Sequence, residues 1–264
     1  MVMDDAAIAY LKEVHDKTRF FGTWPPGLRV EVGEVGRIGE DGVYRRSSDL
    51  GRAGIAFETQ SLPYQDVQFA TEGGVEIAGE ASVKTGEIVS AVTDVSGALT
   101  ISFTSGDAVL VLLRDVQMHR VVDEEQLRRD MMTAWNAEPR RLDTDNVVIT
   151  RVLEAKSGAL AMSAESAAHV EATSSVSVAP GKIQLADVHG RVSFVSSANT
   201  RFAVSPSDDD PPLTPLFEML YFAKNRQWWR FWRPIISAQT RGPQSPPDLD
   251  DSSDPGEVLS LPRD

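Results

Sequence analysis

Between Leu28 and about Phe103, and again between Asn146 and Val204, apolar residues recur at every second position in short runs. LRVEV, GVYRR, GIAFET, DVQFA and GVEIAG form the first series, and glycine or acidic turn residues separate them. A period of two marks a strand with one face covered and the other wet. EIVSAVTDVSGALTISF reads as two strands joined around Asp94 to Gly97. The second series is NVVITRVLEA, GALAMSAE, HVEATSSVSV, KIQLADV, RVSFVS and TRFAV, with turn signals at Ala179-Pro180-Gly181 and His189-Gly190. The AVLVLL run at 108–113 is apolar without a period, as in a strand buried on both faces or a short core helix.

Three segments carry helical spacing instead. Residues 4–19 place Ile8, Leu11 and Val14 on one stripe, and Asp4 and Asp5 suit the positive end of the helix dipole. Pro25 and Pro26 break the chain after it. Residues 124–137 place Leu127, Met131 and Ala134 on one face, with Asp123 as N-cap and Gln126 in the capping-box position. The third runs from Pro215 to Arg233, with Thr214 as cap and Pro234 as stop. The expected fold class is α+β: a mostly antiparallel twisted sheet with an N-terminal, a central and a C-terminal helix, followed by a disordered tail. In domain terms this predicts a β-rich body over 1–204, a linker over 205–214, an aromatic amphipathic helix over 215–234, and a disordered acidic Pro/Ser-rich tail over 235–264.

A formal charge of -13 argues against nucleic acid as a partner, because phosphate binding needs clustered Lys and Arg. With no cysteine, thiolate chemistry and disulfides are excluded. The N-terminus lacks the basic and apolar regions of a signal peptide, and no apolar run approaches the length of a membrane-spanning helix. GEVGRIG at 33–39 lacks dinucleotide-loop spacing and precedes no helix, so it reads as a turn cluster. His15, His119, His169 and His189 lie in different elements, and a zinc site needs about four ligands at suitable spacing. The expectation is a non-enzyme with no catalytic residues, no cofactor and no metal.

KNRQWWRFWRP at 224–234 is the remaining feature. On a helix Arg226, Arg230 and Arg233 share one face, and Trp228 and Trp232 another, with Trp229 between them. Aromatic rings beside arginine suit a membrane interface. The same residues also suit a helix docked on the body or on a partner, its arginines snorkelling to water.

NVVITRVLEA, the small polar hairpin after it, the TRFAV strand and the upstream GGVEIAGEASVKTGE stretch resemble the gasdermin pore-forming domain over about half of the chain. The FFGTWPPGLRVEVGEVG opening and the absence of an N-terminal cysteine depart from that family. So does the charge. Ten acidic and six basic residues lie in 205–264, so the remainder is still near -9. The resemblance implies a cytoplasmic, autoinhibited protein of antiviral defence that associates conditionally with the inner membrane. Its partners would be an activating protease, membrane lipid and further copies of itself. Leu216, Phe217, Leu220 and Phe222 would form the removable cover, cleavage would fall in 205–213, and hairpins near 88–103 and 158–178 would lengthen into the bilayer. The competing reading is a cytoplasmic β-rich binding or scaffold protein whose C-terminal helix docks a partner.

Overall fold

The computed structural model describes residues 5–78, 98–164, 169–173, 182–185, 192–196, 200–204, 212–222 and 258–260. In chain order the elements are α1 (Asp5–Thr18), β1 (Phe21–Gly22), β2 (Glu34–Ile38), β3 (Tyr44–Asp49), β4 (Thr59–Pro63), β5 (Val67–Ala70), β6 (Val75–Ala78), β7 (Ala98–Phe103) and β8 (Val109–Val121). They continue with α2 (Glu124–Asn136), β9 (Val147–Ser163), β10 (His169–Thr173), β11 (Lys182–Leu185), β12 (Val192–Ser196), β13 (Thr200–Val204), β14 (Leu213–Phe222) and β15 (Val258–Ser260). The class is α+β, and every strand pair with a defined register is antiparallel.

The chain divides into two compact units, and β8 and β9 each contribute to both. The first unit holds residues 1–62, 118–153 and 214–264. Its strands follow the order β1-β14-β9-β2-β3. The α1 stripe buries Tyr10, Leu11 and Val14. Helix and strand meet closely at Gly22, where a Cβ would lie 3.0 Å from the Tyr10 ring and 3.3 Å from Leu11. α2 forms as its spacing predicts. Asp123 accepts a hydrogen bond from the Gln126 backbone N–H at 2.8 Å, and Leu127, Met131, Ala134 and Trp135 are buried. The capping box stays half-closed, because the Gln126 side-chain oxygen accepts from the Arg129 guanidinium at 2.8 Å instead. The buried face of α2 packs with Val35, Val148, Leu220 and Phe222 in one cluster.

The second unit holds residues 63–117 and 154–213. Here β5 pairs with the first half of β8, and β13 with the end of β9. The sheet β11-β12-β10-β7-β6 belongs wholly to this unit. The apolar 108–113 run opens β8 and is buried throughout, the strand outcome of its two readings. NVVITRVLEA and GALAMSAE join into the single 17-residue β9. Within β9, Gly158 sits at φ 148°, where a Cβ would lie 2.2 Å from the Leu112 carbonyl oxygen.

The structure differs from the sequence reading at several points. LRVEV and most of GIAFET are irregular, whereas GEVGRIG, read as a turn cluster, contains β2. Most consequentially, the predicted C-terminal helix is a strand over its first half, β14, and Thr214 and Pro215 lie inside that strand. The reason is double-sided burial. Nine of the ten β14 residues are buried, so the segment is apolar all round and carries no period to separate strand from helix.

Candidate functional site

Leu216, Phe217, Leu220 and Phe222 are at most 1% exposed. They sit on β14, between β1 and β9 in the sheet order, rather than on a peripheral helix. Phe21 pairs with Phe217 and Gly22 with Leu216, and Thr23 N–H donates to the Pro215 carbonyl at 2.9 Å. The Phe217 ring stacks on Phe21 at 5.7 Å and tilts against Tyr44 at 5.5 Å. With Leu213, Met219 and Tyr221, the strand buries seven large apolar side chains. At about 1.5–3 kcal/mol each, their burial is worth on the order of 10 kcal/mol. β14 is therefore core, and the structure corrects its placement as an external helix.

β14 is also pinned by charge. Arg151 on β9 donates to Glu218 of β14 at 3.1 Å and lies 3.5 Å from Glu124 in the first turn of α2. The Arg151 side chain is 9% exposed. One guanidinium thus ties two strands and a helix start together.

The last described segment returns to the same strand. Val258, Leu259 and Ser260 pair antiparallel with Phe222, Tyr221 and Leu220. α2 neighbours this added strand. Burial pushes the Tyr221 phenol up to about 12, against the pull of nearby Arg128. The interaction is a β-addition, in which backbone hydrogen bonds supply the attachment. Three ladder positions at about 0.5–1.5 kcal/mol per net hydrogen bond hold it by a few kcal/mol. This ladder spans three positions, against the ten residues of β14. Within the segment read as tail, VLS is an apolar island between Pro255 and Pro262, and that is the signal by which it could have been found.

A cleft of about 550 Å³ lies elsewhere in the first unit, walled by Trp24, Leu28 and Val30 and edged by Arg29, Arg45 and Arg46. Each guanidinium already has a carboxylate: Glu31 for Arg29, Asp41 for Arg45, Glu34 for Arg46. Burial pushes the Glu34 carboxyl up, opposed by Arg46 and by the hydrogen bond that the Tyr44 hydroxyl donates at 3.3 Å. Burial and this carboxylate together push the Tyr44 phenol up. The Arg45 hydrogen bond holds Asp41 below its usual value. Internal neutralisation leaves the cleft little spare charge for a ligand.

In the second unit, ladder register sorts residues by polarity. Val75 aligns with Phe103, Ile77 with Ile101, Ile101 with Val170, and Leu99 with Ala172, which aligns in turn with Phe194. The interleaved rows align Glu76 with Ser102, Ser102 with His169, and Thr100 with Glu171. Apolar and polar rows therefore alternate across β6, β7 and β10, apart from Ala78 opposite Thr100 and Ala98 opposite Thr173, but not into β12, where Ser196 aligns with Val170 and Val195 with Glu171.

Arg226, Trp228, Trp229, Arg230, Trp232 and Arg233 lie outside the described residues, as do the linker over 205–211 and the first strand of the 87–103 pair. Among the described residues, no three His, Asp or Glu side chains cluster as metal ligands, and no helix is long and apolar enough to cross a membrane.

Among solved structures the chain is similar to a bacterial gasdermin from Bradyrhizobium tropiciagri, at 11% identity and a TM-score of 0.35, over 83% of this chain and 88% of that one. This distant likeness is to the family that the strand motifs resemble. No family model and no curated protein matches the chain.

Proposed function

We propose that this chain is a non-enzymatic, gasdermin-like pore-forming protein, held inactive by its C-terminal segment and released by proteolysis. The observation that carries the reading is the alternating register of β6, β7 and β10. Alternating apolar and polar rows are what a barrel wall needs, with one face to lipid and the other to water. Closed strand pairing also satisfies every backbone group in the bilayer. The run from Val75 to Phe103 and the run from His169 to Ser196 are each long enough for two spans of about 10 residues with a turn. Lengthening β6–β7 would keep the same rows in register.

The lock is placed further along the chain than the sequence reading had it. Removing β14 would dismantle the core of the first unit, so the releasable segment begins after Phe222 and ends in β15. A cut within 223–257 would detach β15, whose hold is a few kcal/mol, and leave β14 in place. Trp228, Trp229, Trp232 and the three nearby arginines would then meet a membrane or a partner. The partners in this reading are an activating protease, membrane lipid and further copies of the chain, which is cytoplasmic until it associates with the inner membrane. The core position of β14 equally suits the scaffold reading, in which this strand is permanent. Dye release from liposomes of bacterial lipid, with a protease site engineered within residues 240–250, separates the two. Leakage only after cutting supports the pore-former. No leakage before or after, with folded fragments, leaves the scaffold.

A further inference from the structure

β15 occupies an edge of β14 beside α2, and it does so as an extended strand attached through a three-residue register. The floor of this seat is built from fixed parts. Leu220 and Phe222 belong to the buried cluster that includes Leu127, Met131 and Trp135 of α2. The occupant is short for a reason visible in its sequence. Pro262 follows Ser260 by two positions and has no N–H to give, and Pro255 precedes Val258 by three. The resident segment therefore uses little of what an extended chain can offer at a sheet edge.

We propose that the Leu220–Phe222 edge of β14, walled by α2, is a β-augmentation site that also accepts the Val258–Ser260 segment of a second copy of this chain. The segment it fits is the kind it already holds: two apolar residues and a small one over the paired positions, uncharged and proline-free there. The second copy's segment would displace the resident β15 without any bond being cut. Backbone pairing attaches it, as in other strand-addition complexes, and the α2 wall restricts what fits. The site exists whether or not the chain forms pores, and its test needs no membrane.

The probe is a fluorescent peptide of residues 254–264, DPGEVLSLPRD, read by anisotropy. The protein is the full chain, native or carrying Val258→Pro and Leu259→Pro together to empty the seat. The expected result is at least tenfold tighter binding to the double-proline chain than to the native one. N-methylation of the peptide amides at Leu259 and Ser260 should weaken that binding at least tenfold. Equal affinity for both chains, or indifference to N-methylation, overturns the proposal. If the double variant does not fold by circular dichroism, hydrogen exchange on the native chain decides. Excess peptide should raise exchange at residues 258–260 of the chain and leave Leu220–Phe222 protected, whereas unchanged exchange at 258–260 overturns it.

Discussion

Replacing Arg151 by alanine should be the most damaging single change to the first unit that leaves every apolar core residue intact. The side chain is 9% exposed, and Glu124 and Glu218 beside it are 20% and 23% exposed. Removing the guanidinium leaves two carboxylates of like charge in a largely enclosed site with their shared cation gone. Breaking a buried pair from one side costs about 3–5 kcal/mol. The lost stem of the arginine adds packing loss in the same direction. Both described helices lie in this unit, so urea unfolding followed at 222 nm reports on it. Arg151→Ala should lower its unfolding free energy by about 3–5 kcal/mol. Arg151→Met with Glu124→Gln and Glu218→Gln should recover at least half of that, because no buried charge is left unpaired. A loss below about 1 kcal/mol for Arg151→Ala would put the cluster with ordinary surface pairs and refute the reasoning.

Phe217→Ala removes a ring that stacks on Phe21 and packs against Tyr44, and should cost about 3–5 kcal/mol in the same assay; a cost under 1 kcal/mol would mean that β14 is a cover after all. Gly158→Ala sets a Cβ against the Leu112 carbonyl oxygen at positive φ and should destabilise by roughly 2 kcal/mol or more, read as a lower melting temperature. His15 is 3% exposed, and burial lowers its pKa from 6.5 to about 4. It stays neutral when folded, while the unfolded chain takes up a proton below about 6.5, so the stability it carries at pH 7 is lost as pH falls from 6.5 towards 4. Between pH 7 and pH 5 the native chain should lose about 2 kcal/mol more than His15→Gln, measured by urea midpoints at both values.

The elements legible in the sequence were those with a clean period. The Ile8, Leu11 and Val14 stripe gave α1, and the Leu127, Met131 and Ala134 face with its Asp123 cap gave α2. The alternating runs DVQFA, GVEIAG and ALTISF fell on β5, β6 and β7. LTPLFEMLYF failed because a strand buried on both sides loses its period, and the Thr-Pro start signal then decided in favour of a helix. The candidate seat was hidden differently. Its parts, Leu220–Phe222 and Val258–Ser260, are brought together by pairing over a long stretch of chain, and a three-residue strand has too little pattern to stand out. Arg151 reads as an ordinary polar position in an alternating strand. Only the fold sets Glu218, 67 positions away, against it.

The central claim is that alternate rows of one sheet come to face lipid. The chain has no native cysteine, so single cysteines at Leu99, Thr100, Ile101 and Ser102 can each carry an environment-sensitive dye. The measurement is its quenching by spin-labelled lipid in liposomes, after cutting within residues 240–250. The account predicts quenching at 99 and 101 and none at 100 and 102. Quenching at none of the four, or at all four alike, would contradict it.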